Sequence, residues 1–126
     1  MAARGRRGGA LIVLLLAAAV LGALLFKLRS GSARAHRLVS GGATLLDVRT
    51  PAEFGAGHLE GARNIPVQDL ARRLDEVGPR EKPVVVYCHS GARAALAART
   101  LRAAGFREVV NLGPMAAWSL AAAPDR

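Results

Sequence analysis

Residues 83–93 read Pro83-Val84-Val85-Val86-Tyr87-Cys88-His89-Ser90-Gly91-Ala92-Arg93. The run from Pro83 to Tyr87 is continuous, β-branched and free of polar alternation. That is the pattern of a central strand in a parallel sheet, covered on both faces. A short polar loop with one glycine follows. From Ala92 to Ala104 the chain is Ala-rich, with Leu96, Thr100, Leu101 and Ala104 on one expected helical face and Gly105 at its C-cap. Strand, tight loop and helix in that order put Cys88 at the carboxyl end of a buried strand, where ligands bind in open α/β sheets.

The flanking sequence repeats the strand–helix alternation. Upstream, residues 35–40 read as a short helix stopped by Gly41-Gly42. Thr44 to Val48 is a short apolar run and reads as a second buried strand. Thr50, Pro51 and Glu53 form a capping-box pattern at the start of a helix, which Gly55 and Gly57 end quickly. Ala62 to Ile65 is a further short strand. Val67 to Glu76 reads as an amphipathic helix with Leu70 and Leu74 inward, followed by the Gly78-Pro79 loop. Downstream, Glu108 to Leu112 is a strand, and Gly113-Pro114 opens a last helix through Trp118. The expected fold is α/β, a parallel sheet flanked by helices on both faces.

The chain has 126 residues, enough for one domain, and a formal net charge of +9. The charge is unevenly placed. Residues 1–37 hold seven basic residues and no acid, whereas residues 38–126 hold eleven basic and nine acidic. The domain itself is close to neutral and lacks the basic stripe that nucleic-acid binding requires, so nucleic acid is excluded as a partner. A single cysteine rules out an intramolecular disulfide and a multi-cysteine metal site, and no metal or cofactor is expected.

Every residue from Ala10 to Phe26 is apolar or Gly. A helix of that length rises roughly 26 Å, close to the ~30 Å hydrocarbon core of a bilayer. Arg4, Arg6 and Arg7 precede the run, and Lys27, Arg29, Arg34 and Arg37 follow it. The chain therefore divides into a basic flank (1–9), a transmembrane helix or signal sequence (10–28), a flexible linker (29–35) and a domain (36–122). The small-x-small pattern of a cleavage site, Ala33-Arg34-Ala35, lies well past the apolar run and behind basic residues, which favours an uncleaved anchor. The positive-inside rule gives no decision from so even a balance. The expected location is the cell membrane, single-pass, with the domain on the outer, periplasmic or extracytoplasmic side. The alternatives are secretion after cleavage and a domain facing the cytoplasm.

A lone cysteine is by default a small buried hydrophobe. Its neighbourhood argues for reactivity here. The Ser90-Gly91-Ala92 loop can point backbone N–H groups at the sulfur, the helix starting near Ala92 adds its positive dipole end, and Arg93 adds a full charge. All three favour thiolate over thiol. They would also stabilise the extra sulfur of a persulfide and the oxyanion released by a donor such as thiosulfate.

The chain resembles the single-domain rhodaneses. The matching stretches are Leu45-Leu46-Asp47-Val48-Arg49-Thr50-Pro51-Ala52-Glu53-Phe54, Gly57-His58-Leu59-Glu60-Gly61-Ala62-Arg63-Asn64-Ile65-Pro66, Val85 to Ala94, Ala104-Gly105-Phe106, and Gly113 to Trp118. They occur in family order over about residues 35–120, leaving the apolar run outside. The resemblance implies a ping-pong sulfurtransferase: a thiolate takes sulfane sulfur from a small donor such as thiosulfate or a persulfide, then yields it to a thiol, to cyanide or to a protein acceptor. By motif position Cys88 is the nucleophile. His89, Ser90, Gly91 and Ala92 form the cradle with Cys88, and Arg93 closes it. Asp47 and Arg49 sit near the mouth, Asp47 as a hydrogen-bond acceptor for the loop.

Related phosphatase and arsenate-reductase sites have five residues between Cys and Arg; here four intervene, which suits a terminal sulfur. His89 stands where many thiosulfate enzymes of the family have Arg, and reads as a polar lid residue. Pro114 replaces the second Gly usual in the closing turn. His58 reads as a structural hydrogen-bonding residue and Trp118 as core. The contrasting reading is a rhodanese-fold module that docks a partner at the membrane with little catalysis.

Overall fold

The computed structural model describes residues 5–121. Residues 1–4 of the expected basic flank and Ala122 at the expected end of the domain lie outside the described residues. In chain order the elements are α1 (Gly5–Ser40), β1 (Thr44–Asp47), α2 (Pro51–Ala56), β2 (Arg63–Asn64), two 3-10 turns (Leu70–Arg72 and Leu74–Glu76), β3 (Val84–Cys88), α3 (Ala92–Ala103), β4 (Val109–Pro114) and a 3-10 helix (Met115–Leu120).

The sheet has the order β2-β1-β3-β4, and all three pairings are parallel. β3 is central and every residue in it is buried, as its unbroken apolar run requires. Side chains alternate between faces along a strand. Val84, Val86 and Cys88 therefore join Leu46, Leu70, Ala94, Ala97, Ala98, Leu101 and Phe106 on one face. Val85 and Tyr87 join Leu45, Ala35, Val110, Leu112 and Ala117 on the other. α3 covers the first face. The second is covered by the last turns of α1 and the closing 3-10 helix.

The expected linker 29–35 is helical instead. α1 runs unbroken through it, and Ser32, Ala35 and His36 are buried. The reason is tertiary. Ser32 Oγ donates to the Trp118 carbonyl at 3.2 Å, His36 Nε2 lies 2.7 Å from the same oxygen, and the His36 and Trp118 rings sit 3.7 Å apart. Small residues that look like flexible linker in sequence here allow close packing against Trp118, which is partly buried in the second core. The helix stops where expected. Gly42 has φ +101, and Ala43 N donates to Leu38 O at 2.9 Å.

Three further expectations are corrected. Residues 67–76 do not form a regular helix. Val67 N donates to Val48 O at 3.1 Å, which holds the start of the segment extended, and i→i+3 bonds such as Arg73 N to Leu70 O close short turns before Gly78. Leu70 is fully buried all the same. The last helix is 3-10 and begins at Met115, because Gly113 and Pro114 belong to β4. In α3 the inward stripe is Ala94, Ala97, Ala98 and Leu101, while Leu96 is 54% exposed. The alanines, not the leucine, face the sheet, and their small side chains let the helix lie close to β3.

This face assignment is testable by chemical denaturation. Leu101→Ala, which empties a fully buried site, is expected to lower stability by about 2–5 kcal/mol. Leu96→Ala is expected to change it by no more than about 0.5 kcal/mol.

Candidate active site

Cys88 ends β3, and the chain turns at once into the His89-Ser90-Gly91 loop and α3. The residue is fully buried, whereas His89, Ser90 and Ala92 are exposed. Its Sγ accepts a hydrogen bond from Gly91 N at 2.9 Å. Gly91 has φ +105, a left-handed conformation in which a side chain is strained. That turn both aims the Gly91 N–H back at the sulfur and starts α3, whose first main-chain bond runs from Ala95 N to Gly91 O at 3.0 Å. The sulfur thus faces a backbone donor at the positive end of a 12-residue helix.

The hydrogen bonds of Arg93 go to Glu53. The Arg93 guanidinium pairs with it in a fork, Nη1 to Oε1 at 2.7 Å and Nη2 to Oε2 at 3.0 Å, with both side chains about one-third exposed. The hydrogen-bond donor on Sγ is the Gly91 N–H. The fork ties α3 to α2, because Glu53 also completes the capping box. It receives the Thr50 N–H at 3.2 Å, and its own N–H donates to Thr50 Oγ1 at 3.1 Å. Hydrogen bonds from Arg93 first, and from Thr50 N–H second, hold the Glu53 carboxyl down at about 2. The Arg93 pKa is raised foremost by Glu53, and more weakly by the charges of Cys88 and Asp47. Glu53 is a site residue that the sequence reading assigned only to the cap; its place at the third position of the box hid its second partner.

Asp47 and Arg49 stand at the carboxyl edge of the sheet but not on the sulfur. Asp47 lies in register with Tyr87 and shares its face, opposite to that of Cys88. It does not accept from the loop. Its carboxylate takes Arg49 N at 2.9 Å, Arg49 Nε at 3.0 Å and Arg49 Nη2 at 2.7 Å. Arg49 Nη2 continues to the Gly57 carbonyl at 2.7 Å and its guanidinium lies 5.8 Å from the Tyr87 ring. Tyr87 Oη accepts from Leu59 N at 3.1 Å, and burial pushes its phenol above the usual range. Asn64 Nδ2 donates to the Asp47 and Arg49 carbonyls at 3.1 and 2.9 Å. This buried network fixes residues 57–64 against β1 and β3, the rigid side of the site. His58 has the structural role expected of it. Its Nδ1 lies 2.9 Å from Phe54 O and its ring stacks on Phe54 at 3.7 Å.

The rhodanese-like domain family model matches residues 32–121. Protein YqhL of Bacillus subtilis is 49% identical over 70 residues, covering 56% of this chain and 55% of that protein. A sulfurtransferase of Allochromatium vinosum is 40% identical over 76 residues, covering 60% of this chain and 70% of its own. The human single-domain sulfurtransferase TSTD1 superposes with a TM-score of 0.58 at 32% identity, over 64% of this chain and 84% of that one. The chain spans about half the length of YqhL. With a parallel sheet, a cysteine at the carboxyl end of its central strand and this family match, the chain belongs to the rhodanese-like domain family. The match begins at residue 32, inside α1, which agrees with the burial of Ser32, Ala35 and His36.

The Glu53–Arg93 fork carries a pH signature. A carboxylate whose folded pKa lies below its ordinary value of 4.5 contributes stability that is complete above that value and is lost as pH falls toward about 2. Wild type is therefore expected to be more stable than Glu53→Gln at neutral pH. The difference should shrink between pH 4.5 and about 2 in denaturation measured across that window. A gap independent of pH would contradict the ion pair.

Proposed function

We propose that this protein is a membrane-anchored sulfurtransferase that carries sulfane sulfur on Cys88. The observation that carries the reading is the 2.9 Å hydrogen bond from Gly91 N to Cys88 Sγ at the start of α3. A backbone donor and a helix N-terminus favour negative charge at that position. They serve the thiolate before transfer and the terminal sulfur after it.

In the first half-reaction the Cys88 thiolate attacks the outer sulfur of thiosulfate. The S–S bond breaks, and its electron pair leaves with sulfite. In the second, a thiolate or cyanide attacks the outer sulfur of the Cys88 persulfide and Cys88 departs as thiolate. Sulfur moves as a neutral atom in both steps, so no redox cofactor is needed. His89 and Ser90, exposed above the loop, are the side chains a donor meets first. The names of relatives support this reading: a thiosulfate sulfurtransferase, PspE of Escherichia coli, is 33% identical over 69 residues. The burial of Cys88 favours one competing reading, a module that docks a partner without turnover.

For the N-terminus, residues 10–28 act as the anchor and the domain faces outward. The leucines from Leu11 to Leu25 and Phe26 are exposed on α1, as lipid-facing side chains would be. Cleavage at residues 33–35 would remove Ser32 and strip part of the sheet's cover, which further favours the uncleaved form.

Steady-state kinetics test the proposal. Double-reciprocal plots with thiosulfate and cyanide varied together should be parallel, and Cys88→Ser should abolish turnover. Gly91→Ala, forced toward φ +105 at about 1–3 kcal/mol, should lower kcat/KM on the order of tenfold or more. Intersecting lines, or turnover in Cys88→Ser, would refute the mechanism.

A further inference from the structure

The helix that carries the apolar run also covers the sheet, so its direction across the sheet decides which end of the domain meets the bilayer. At the foot of β4, Arg34 pairs with Glu108 at 2.9 Å. The α1 segment from Leu24 to Arg34 forms one wall of an open cleft whose other wall is Asn111 and Leu112, in the middle of β4. α1 ends at Ser40, and the short Gly41–Ala43 turn leads directly into β1 at Thr44, so the C-terminal end of α1 sits at the amino edge of the sheet and the helix runs antiparallel to the strands.

All four strands are parallel, so the carboxyl edge of the whole sheet points the same way. Cys88 is in register with Pro114, two residues beyond Leu112 and ~7 Å further along. Its loop lies at the end of the sheet from which the apolar run departs. The Arg80–Lys82 loop that leads into β3 lies at the opposite end. The helix cannot swing freely, because residues 27–40 are unbroken helix and Ser32, Ala35 and His36 are locked under Trp118. Leu96, one turn into α3 from the loop, is exposed on this same end.

We propose that the carboxyl edge of the sheet, with the His89-Ser90 loop, rests against the lipid headgroup layer. Cys88 then exchanges sulfur with donors and acceptors held at headgroup depth, and the domain itself blocks bulky partners approaching from bulk solution. The inference rests on reading residues 10–28 as an anchor, and its test separates the two.

The full chain is reconstituted into phosphatidylcholine–phosphatidylglycerol vesicles containing a headgroup-spin-labelled lipid. A fluorophore is attached in the Cys88→Ser background at Ser90→Cys or at Glu81→Cys, both exposed positions at opposite ends. A second pair, Ala52→Cys and Arg107→Cys, samples the same two ends should a loop variant fold poorly. Quenching several-fold stronger at 90 and 52 than at 81 and 107 is expected. Equal or reversed quenching in protein that resists alkaline carbonate extraction would overturn the orientation while leaving the anchor intact. Release of the protein by carbonate would overturn the anchor, and the orientation with it.

Discussion

The left-handed turn at Gly91 is the constraint on which the site depends. β3 is buried on both faces, so its last side chain must point into one core or the other, and alternation sends Cys88 to the α3 side. A chain leaving that strand has three residues in which to reverse and begin a helix. At φ +105 Gly91 makes the reversal, returns its N–H to Sγ at 2.9 Å and lets α3 begin at Ala92. One backbone conformation thus sets the helix direction, the donor on the sulfur and the position of Arg93. The arginine, in the first turn of α3, locks α3 to α2 through Glu53.

The same logic gives the N-terminal helix two roles. Its first half is apolar and exposed; its last turns are a wall of the domain, held by Ser32, Ala35 and His36. A flexible tether would leave the apolar half free to move relative to the domain. A continuous helix of 36 residues, ~54 Å long, ties the direction of the apolar half to that of the sheet instead.

Much of the fold was legible because the decisive signals are local. The run from Val84 to Tyr87 can only be a covered strand, Thr50-Pro51-Ala52-Glu53 caps its helix as the pattern requires, and Gly41-Gly42 stops α1. What was not legible depends on partners far apart in sequence. Residues 29–35 look like linker until Trp118, some 80 positions later, is placed against them. Leu96 looks like core until the neighbouring alanines are seen to allow the closer approach. Asp47 and Arg49 carry the family motif, yet strand parity turns Asp47 away from Cys88 and toward Tyr87. The Arg93–Glu53 fork spans 40 residues and has no local signature.

The central claim is that Cys88 holds a transferable sulfur. It is tested most directly by intact-protein and peptide mass spectrometry of the purified chain after brief incubation with thiosulfate. The expected result is a gain of one sulfur atom on the peptide containing Cys88, reversed by cyanide and missing from Cys88→Ser. An unmodified Cys88 after exposure to both thiosulfate and thiol persulfides would contradict it, and would leave a rhodanese fold that binds without transferring.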